Sequence, residues 1–119
     1  MAAPNIVGVT TITGKTSVQE VTTSATAIVS NSGGSNKVFK INSLIISNVD
    51  GTNSADITVD LYRSSTAYEL VKTIAVPADA TLIVISKETS IYLEEGDSIR
   101  CTASANSDLK AICSYEEIS

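Results

Sequence analysis

Apolar and polar residues alternate with a period of two along most of the chain, and no window sustains a 3.6-residue apolar period. Ile57, Val59 and Leu61 fall on one side of a pleated segment, with Thr58, Asp60 and Tyr62 on the other. Ile99, Cys101 and Ala103 oppose Ser98, Arg100 and Thr102 in the same way, and Leu109, Ala111, Cys113 and Tyr115 oppose Lys110, Ile112, Ser114 and Glu116. Val, Ile and Thr dominate these runs, and such β-branched side chains fit a half-buried pleated surface better than a helix. Turn signals separate the runs: Asn31–Asn36, Asp50–Ser54, Pro77–Ala80, Glu94–Asp97 and Asn106–Asp108. Together they predict strands near residues 18–29, 38–48, 56–63, 69–75, 81–86, 90–94, 97–104 and 109–116. Eight short strands with frequent turns predict an all-β fold, an antiparallel β-sandwich of jelly-roll type.

Residues 1–23 follow a different pattern. They hold one acid, Glu20, and one base, Lys15, amid Thr, Val and Ile. Ile6, Val7, Val9 and Ile12 are poorly solvated as a free tail, so the segment must pair with something. One reading is an extra edge strand of its own domain. The other, adopted as the expectation, is an extended N-terminal arm over 1–23 that adds a strand to a neighbouring subunit, ahead of a sandwich domain over 24–119.

Length and composition then narrow the function. A chain of 119 residues holds one compact domain. It has no histidine, the commonest general base and metal ligand. Its 8 basic and 13 acidic residues leave a net charge of -5, against the clustered Lys and Arg that nucleic-acid phosphates demand. Met1–Asn5 shows no positively charged leader, and Leu82–Ile85 is far too short for a membrane span, so assembly in a cytoplasm is expected with no membrane partner.

Few residue groups suggest chemistry. Gly14-Lys15-Thr16 resembles the end of a phosphate loop, but Gly8 is one residue too far upstream and no helix signal follows. Glu94, Glu95 and Asp97 are contiguous in one turn, whereas paired catalytic carboxylates face each other across a cleft. That turn, and the set Asp50, Asn53 and Asp56, are loose Ca²⁺ candidates without EF-hand spacing. A hairpin centred near Ser107 would place Cys101 and Cys113 as a cross-strand pair, either as two buried small side chains or as a disulfide. Two thiols with no histidine complete no zinc site. No catalytic residue, metal or cofactor is expected. Phe39, Tyr62, Tyr68, Tyr92 and Tyr115 have no basic residues interleaved as a base-stacking platform requires.

The tracts Asn36–Asn48, Asp50-Gly51 and Asp56–Tyr62 resemble small virion structural proteins of tailed bacteriophages. Tyr92–Ile99 and the ending from Ala103 to Ile118 continue the likeness, which covers most of the chain and is nearest to proteins of contractile-tailed cyanophages. These are framework residues of strands and turns. The resemblance implies a non-enzymatic virion protein, most readily a capsid decoration or cement subunit, with phage capsid or tail proteins as partners and a homo-oligomer, by analogy a trimer. A neck, tail or fibre-attachment component is the second reading. A carbohydrate- or host-surface-binding module is the third, weakened by the absence of Trp.

Overall fold

A computed structural model describes residues 8 and 10–119. They form nine strands: β1 (Ile12–Glu20), β2 (Thr26–Ser30), β3 (Val38–Asn48), β4 (Ala55–Arg63), β5 (Thr66–Val76), β6 (Thr81–Ile85), β7 (Ile91–Leu93), β8 (Ser98–Ala103) and β9 (Leu109–Ile118), with a short 3-10 helix at Lys87–Thr89. All pairings are antiparallel. One sheet, here sheet A, runs β1-β9-β3-β6, with β7 also on β3; the other, sheet B, runs β2-β8-β4-β5. The fold is a β-sandwich.

The core lies between the two inner faces. Ile41, Leu44 and Ile46 come from sheet A, and Ile57, Val59, Val76, Ile99 and Cys101 from sheet B, all essentially without solvent contact. The alternations in 56–63, 97–104 and 109–116 therefore point as the sequence predicts. Tyr115 packs on the core rim with its ring 5.4 Å from that of Phe39.

Three features differ from the sequence reading. The described part of the expected arm is a strand of the same domain: β1 pairs with β9 over nine consecutive residues, from Ile12 opposite Ile118 to Glu20 opposite Lys110. The sandwich begins at Ile12 rather than at residue 24, and Ile6, Val7 and Val9 lie outside the described residues. The pattern misleads because the inward side of β1 is polar. Thr13, Lys15, Ser17 and Gln19 share the face of the inward β9 residues Tyr115, Cys113 and Ala111, so no apolar alternation marks the strand.

The predicted strand 18–29 is two strands that belong to different sheets. Between them, Thr22 Oγ1 accepts from Ser24 N at 3.3 Å and Thr26 Oγ1 donates to Ser24 O at 2.9 Å. Such local hydroxyl bonds compete with a continuing ladder. Ser17 Oγ then donates to Ile28 O (2.8 Å) and Gln19 Nε2 to Ala27 O (3.0 Å), so β1 side chains seal the bare edge of β2.

The expected 97–104/109–116 hairpin is absent. β8 belongs to sheet B and β9 to sheet A, and the connection crosses the sandwich. It is fastened on both sides: Ser104 N donates to Asp56 O (3.0 Å), and Val49 N to Asp108 O (2.8 Å). A hairpin and a crossover bury the same alternating residues, so alternation cannot separate them.

Candidate functional site

One loop end of the sandwich gathers a cluster of charged side chains. Arg63, at the end of β4, reaches the turn before β8. Its Nε donates to Asp97 Oδ1 at 2.8 Å, and its Nη2 to Asp97 Oδ2 at 2.5 Å and to Glu94 Oε2 at 2.9 Å. Gly96 holds that turn with φ at +89°, a region that L side chains rarely adopt. Burial pushes the Asp97 carboxyl up, but the Arg63 hydrogen bonds and the Glu94 amide outweigh it and hold it below the usual carboxylate range. Glu95 accepts from Asn36 N at 2.8 Å. Each carboxylate of the turn is thus engaged in a structural bond, and none faces a second carboxylate across a cleft.

The other sequence candidates do not converge. Asp50 turns its carboxylate onto the amides of Thr52 and Asn53, which hold it below its ordinary value, while Asp56 belongs to β4 and is bonded to Ser104. Among the described residues, no three His, Cys, Asp or Glu side chains form a metal-holding group. Gly14-Lys15-Thr16 lies inside β1, and Lys15 Nζ is 3.0 Å from Glu117 Oε2.

Cys101 and Cys113 are not cross-strand neighbours. Cys101 sits between Thr26 and Val59 in sheet B, and Cys113 between Ser17 and Leu44 in sheet A. Both are free and buried in the shared core. Burial pushes each thiol up to about 12, and the neighbouring Cys113 thiol adds to the effect on Cys101. Neither thiol has the thiolate character that nucleophilic or redox chemistry requires.

The tyrosines are dispersed. Tyr62 carries the Arg100 guanidinium 3.9 Å above its ring, and Arg100 also bonds Asp60. The exposed Tyr68 and Tyr92 stand on different sheets. Ile12, the one described residue of the expected arm contact, opens β1 with its side chain exposed.

One surface feature escaped the sequence reading. Registered pairs connect Val18 to Ile112, Ile112 to Ile45 and Ile45 to Ile83, which forms one row across β1, β9, β3 and β6. The row lies on the outer face of sheet A, opposite in phase to the core residues Cys113, Leu44 and Ile46. Val18 is 72% exposed, Ile83 64% and Ile112 37%, and Ile45 is half-buried. A signal did exist. Leu44–Ile46, Leu82–Ile85 and Ala111–Cys113 are unbroken apolar runs, so each puts an apolar side chain on the face away from the core.

No protein-family model matches the chain, and no curated protein does. Among solved structures it is similar to a chain described as "Bacillus endospore appendages form a novel family of disulfide-linked pili". The TM-score is 0.53 at 15% identity, over 98% of this chain and 95% of that one. At that identity the likeness is one of fold.

Proposed function

We propose that the chain is a non-enzymatic structural subunit, a virion protein of a tailed phage that decorates or cements the head in many copies. The observation that carries this reading is how the polar and apolar groups are spent. The ionised side chains around the Arg63 turn satisfy one another, whereas an aliphatic row stands on an outer face. That surface is suited to contact and offers no reaction chemistry.

The resemblance in Asn36–Asn48, Asp56–Tyr62 and Tyr92–Ile99 supports the virion location. The fold likeness to a pilus-forming appendage protein supports a subunit that works in repeated assemblies. The strand orders 1-9-3-6 and 2-8-4-5 support a jelly-roll description of the sandwich. The appendages are described as disulfide-linked, whereas the two cysteines of this chain are buried and free, which argues against disulfide links between its subunits. The segment before β1, with Ile6, Val7 and Val9, serves as the arm to a neighbouring subunit, and a trimer is the oligomer that fits three-fold sites on a head.

Location in a particle reconstruction tests the proposal. Density on the head lattice is expected. Density at the neck, tail or fibre base would replace decoration with attachment, and absence from purified virions would overturn both. Retention on a glycan array by the isolated protein would favour a binding module, against which the separation of Tyr68 and Tyr92 counts.

A further inference from the structure

The edges of both sheets are guarded. β5 is long, but its ladder with β4 shifts register twice, and Thr73 stands at φ +46° with its amide turned onto Thr58 Oγ1 at 3.0 Å. Bulges of this kind twist an edge away from further pairing. β1 points Lys15, Ser17 and Gln19 inward and ties two of them to β2. β6 and β7 are only five and three residues long. These features disfavour direct pairing between the described edges of two copies.

The outer faces differ from each other. That of sheet B carries Arg100 forked onto Asp60 and stacked on Tyr62, and the exposed apolar side chains of that sheet, Tyr68, Leu70 and Ile74, are confined to its bulged edge strand β5. That of sheet A carries the Val18–Ile112–Ile45–Ile83 row, about 14 Å long at ordinary strand spacing. One flank of the row is Glu20, Lys110, Ser47 and Thr81, and the other is Thr16, Ser114 and Ser43. The only charges in these flanks are one acid and one base, adjacent in register.

We infer that this face is a copy-to-copy contact, in which the aliphatic row of one subunit packs on the same row of a second copy. Charge supports a second copy as the occupant. The chain carries a net charge of -5, so most of its surface repels another copy, whereas the row and its flanks sum to zero. Two such faces meet without electrostatic cost, and each covers the apolar row of the other. A same-on-same contact closes as a two-fold pair, and its size makes that pair weak. The row with its flanks covers on the order of 300 Å² in plan, against about 800 Å² per partner in a stable free complex. The contact is weak alone and effective where many subunits are held side by side, so this inference rests on the repeated-assembly reading above.

Sedimentation velocity of the full chain, from micromolar to millimolar concentration, tests it. The expected result is a weight-average coefficient that rises with concentration, with an association constant at least about tenfold weaker in Val18→Asp and Ile83→Asp. These variants lie on different strands and replace exposed side chains, so both should keep the parent melting temperature. Leu70→Asp on β5 should associate like the parent. Concentration-dependent amide shifts of the unaltered chain should centre on Val18, Ile45, Ile83 and Ile112, which removes dependence on any variant. A monomer throughout, shifts centred elsewhere, or unchanged association in both variants would overturn the contact. So would loss of association on deleting residues 1–9 while Ile83→Asp associates normally, because the N-terminal segment would then be the occupant. Self-association in a chain absent from virions would leave this contact standing and sink the location alone.

Discussion

Arg63 and Asp97 tie the end of β4 to the turn that launches β8, through two parallel bonds of 2.8 and 2.5 Å. Asp97 is buried and also accepts the Glu94 amide at 2.8 Å, so its carboxylate fixes both the arginine and the turn. Asp97→Ala leaves the Glu94 amide without its acceptor and the guanidinium with Glu94 alone. Unfolding in urea should show a loss of about 2 kcal/mol, the range for removing a charged partner from a buried bond. A loss below about 0.5 kcal/mol would mean that water replaces the carboxylate freely.

Acid should weaken the fold through the same group. Asp97 and Glu117 are both held below their ordinary carboxylate values. Lys37 and then Lys15 lower Glu117 against the opposing effect of burial. A carboxyl depressed in the folded state stabilises it above the unfolded value and loses that contribution as pH falls through the folded one. Stability should therefore be level near pH 6 and drop below about pH 4. In Asp97→Asn the drop should be shallower. Equal slopes in the two proteins would assign the acid sensitivity elsewhere.

The cysteines should be silent in the folded protein. With both thiols buried and pushed up to about 12, a thiol-reactive dye at pH 8 should label them only as the chain opens. Reduction should leave the intact mass unchanged. Cys101→Ala and Cys113→Ala should each cost on the order of 1 kcal/mol, as loss of a small core side chain does. Fast labelling of the native protein would show that the core is open at one sheet.

Truncation should separate the two parts of the N-terminal region. Thr10 N and Thr11 N both donate to Ser119 O, and Ser119 N donates back to Thr11 O, so a chain beginning at Thr10 keeps the whole of β1 and its anchor. Deleting residues 1–9 should shift the melting temperature by only a few degrees. Deleting 1–20 strips β9 of a neighbour and removes the Ser17 and Gln19 bonds to β2, and cooperative unfolding should weaken severely or vanish. Unaltered melting of the longer deletion would make β1 an accessory strand.

Two buried asparagines hold the loop ends. Asn48 Nδ2 donates to Asn53 O (3.0 Å) and Val76 O (2.9 Å), and Asn31 Nδ2 to Lys37 O (2.9 Å) and Leu93 O (3.0 Å). Ala at either position orphans two carbonyls, and a loss of about 2 kcal/mol is expected by thermal or chemical unfolding. Asp in place of Asn48 should be worse, since its oxygens cannot donate to either carbonyl. Tolerance of Asp would mean that water already bridges the loop.

Much of the architecture was legible in the residues. Ile57, Val59, Ile99, Cys101, Ala103, Leu109, Ala111 and Cys113 all face the core as their alternation requires, because a pleated strand sends neighbours to opposite faces whatever it pairs with. The absence of histidine is also plain in the sequence. What alternation cannot report is which strand lies beside which. Cys101 and Cys113 look inward from opposite sheets, and Thr13, Lys15, Ser17 and Gln19 point polar groups into a sandwich edge, because pairing is decided by bonds between segments distant in sequence. Asp56 to Ser104 and Val49 to Asp108 are such bonds, fastening the crossover between the sheets, and Thr11 to Ser119 closes β1 onto β9 within one sheet. The Val18–Ile112–Ile45–Ile83 row exists for the same reason. Each residue is one apolar position in its own strand, and only the register of four strands makes them a surface.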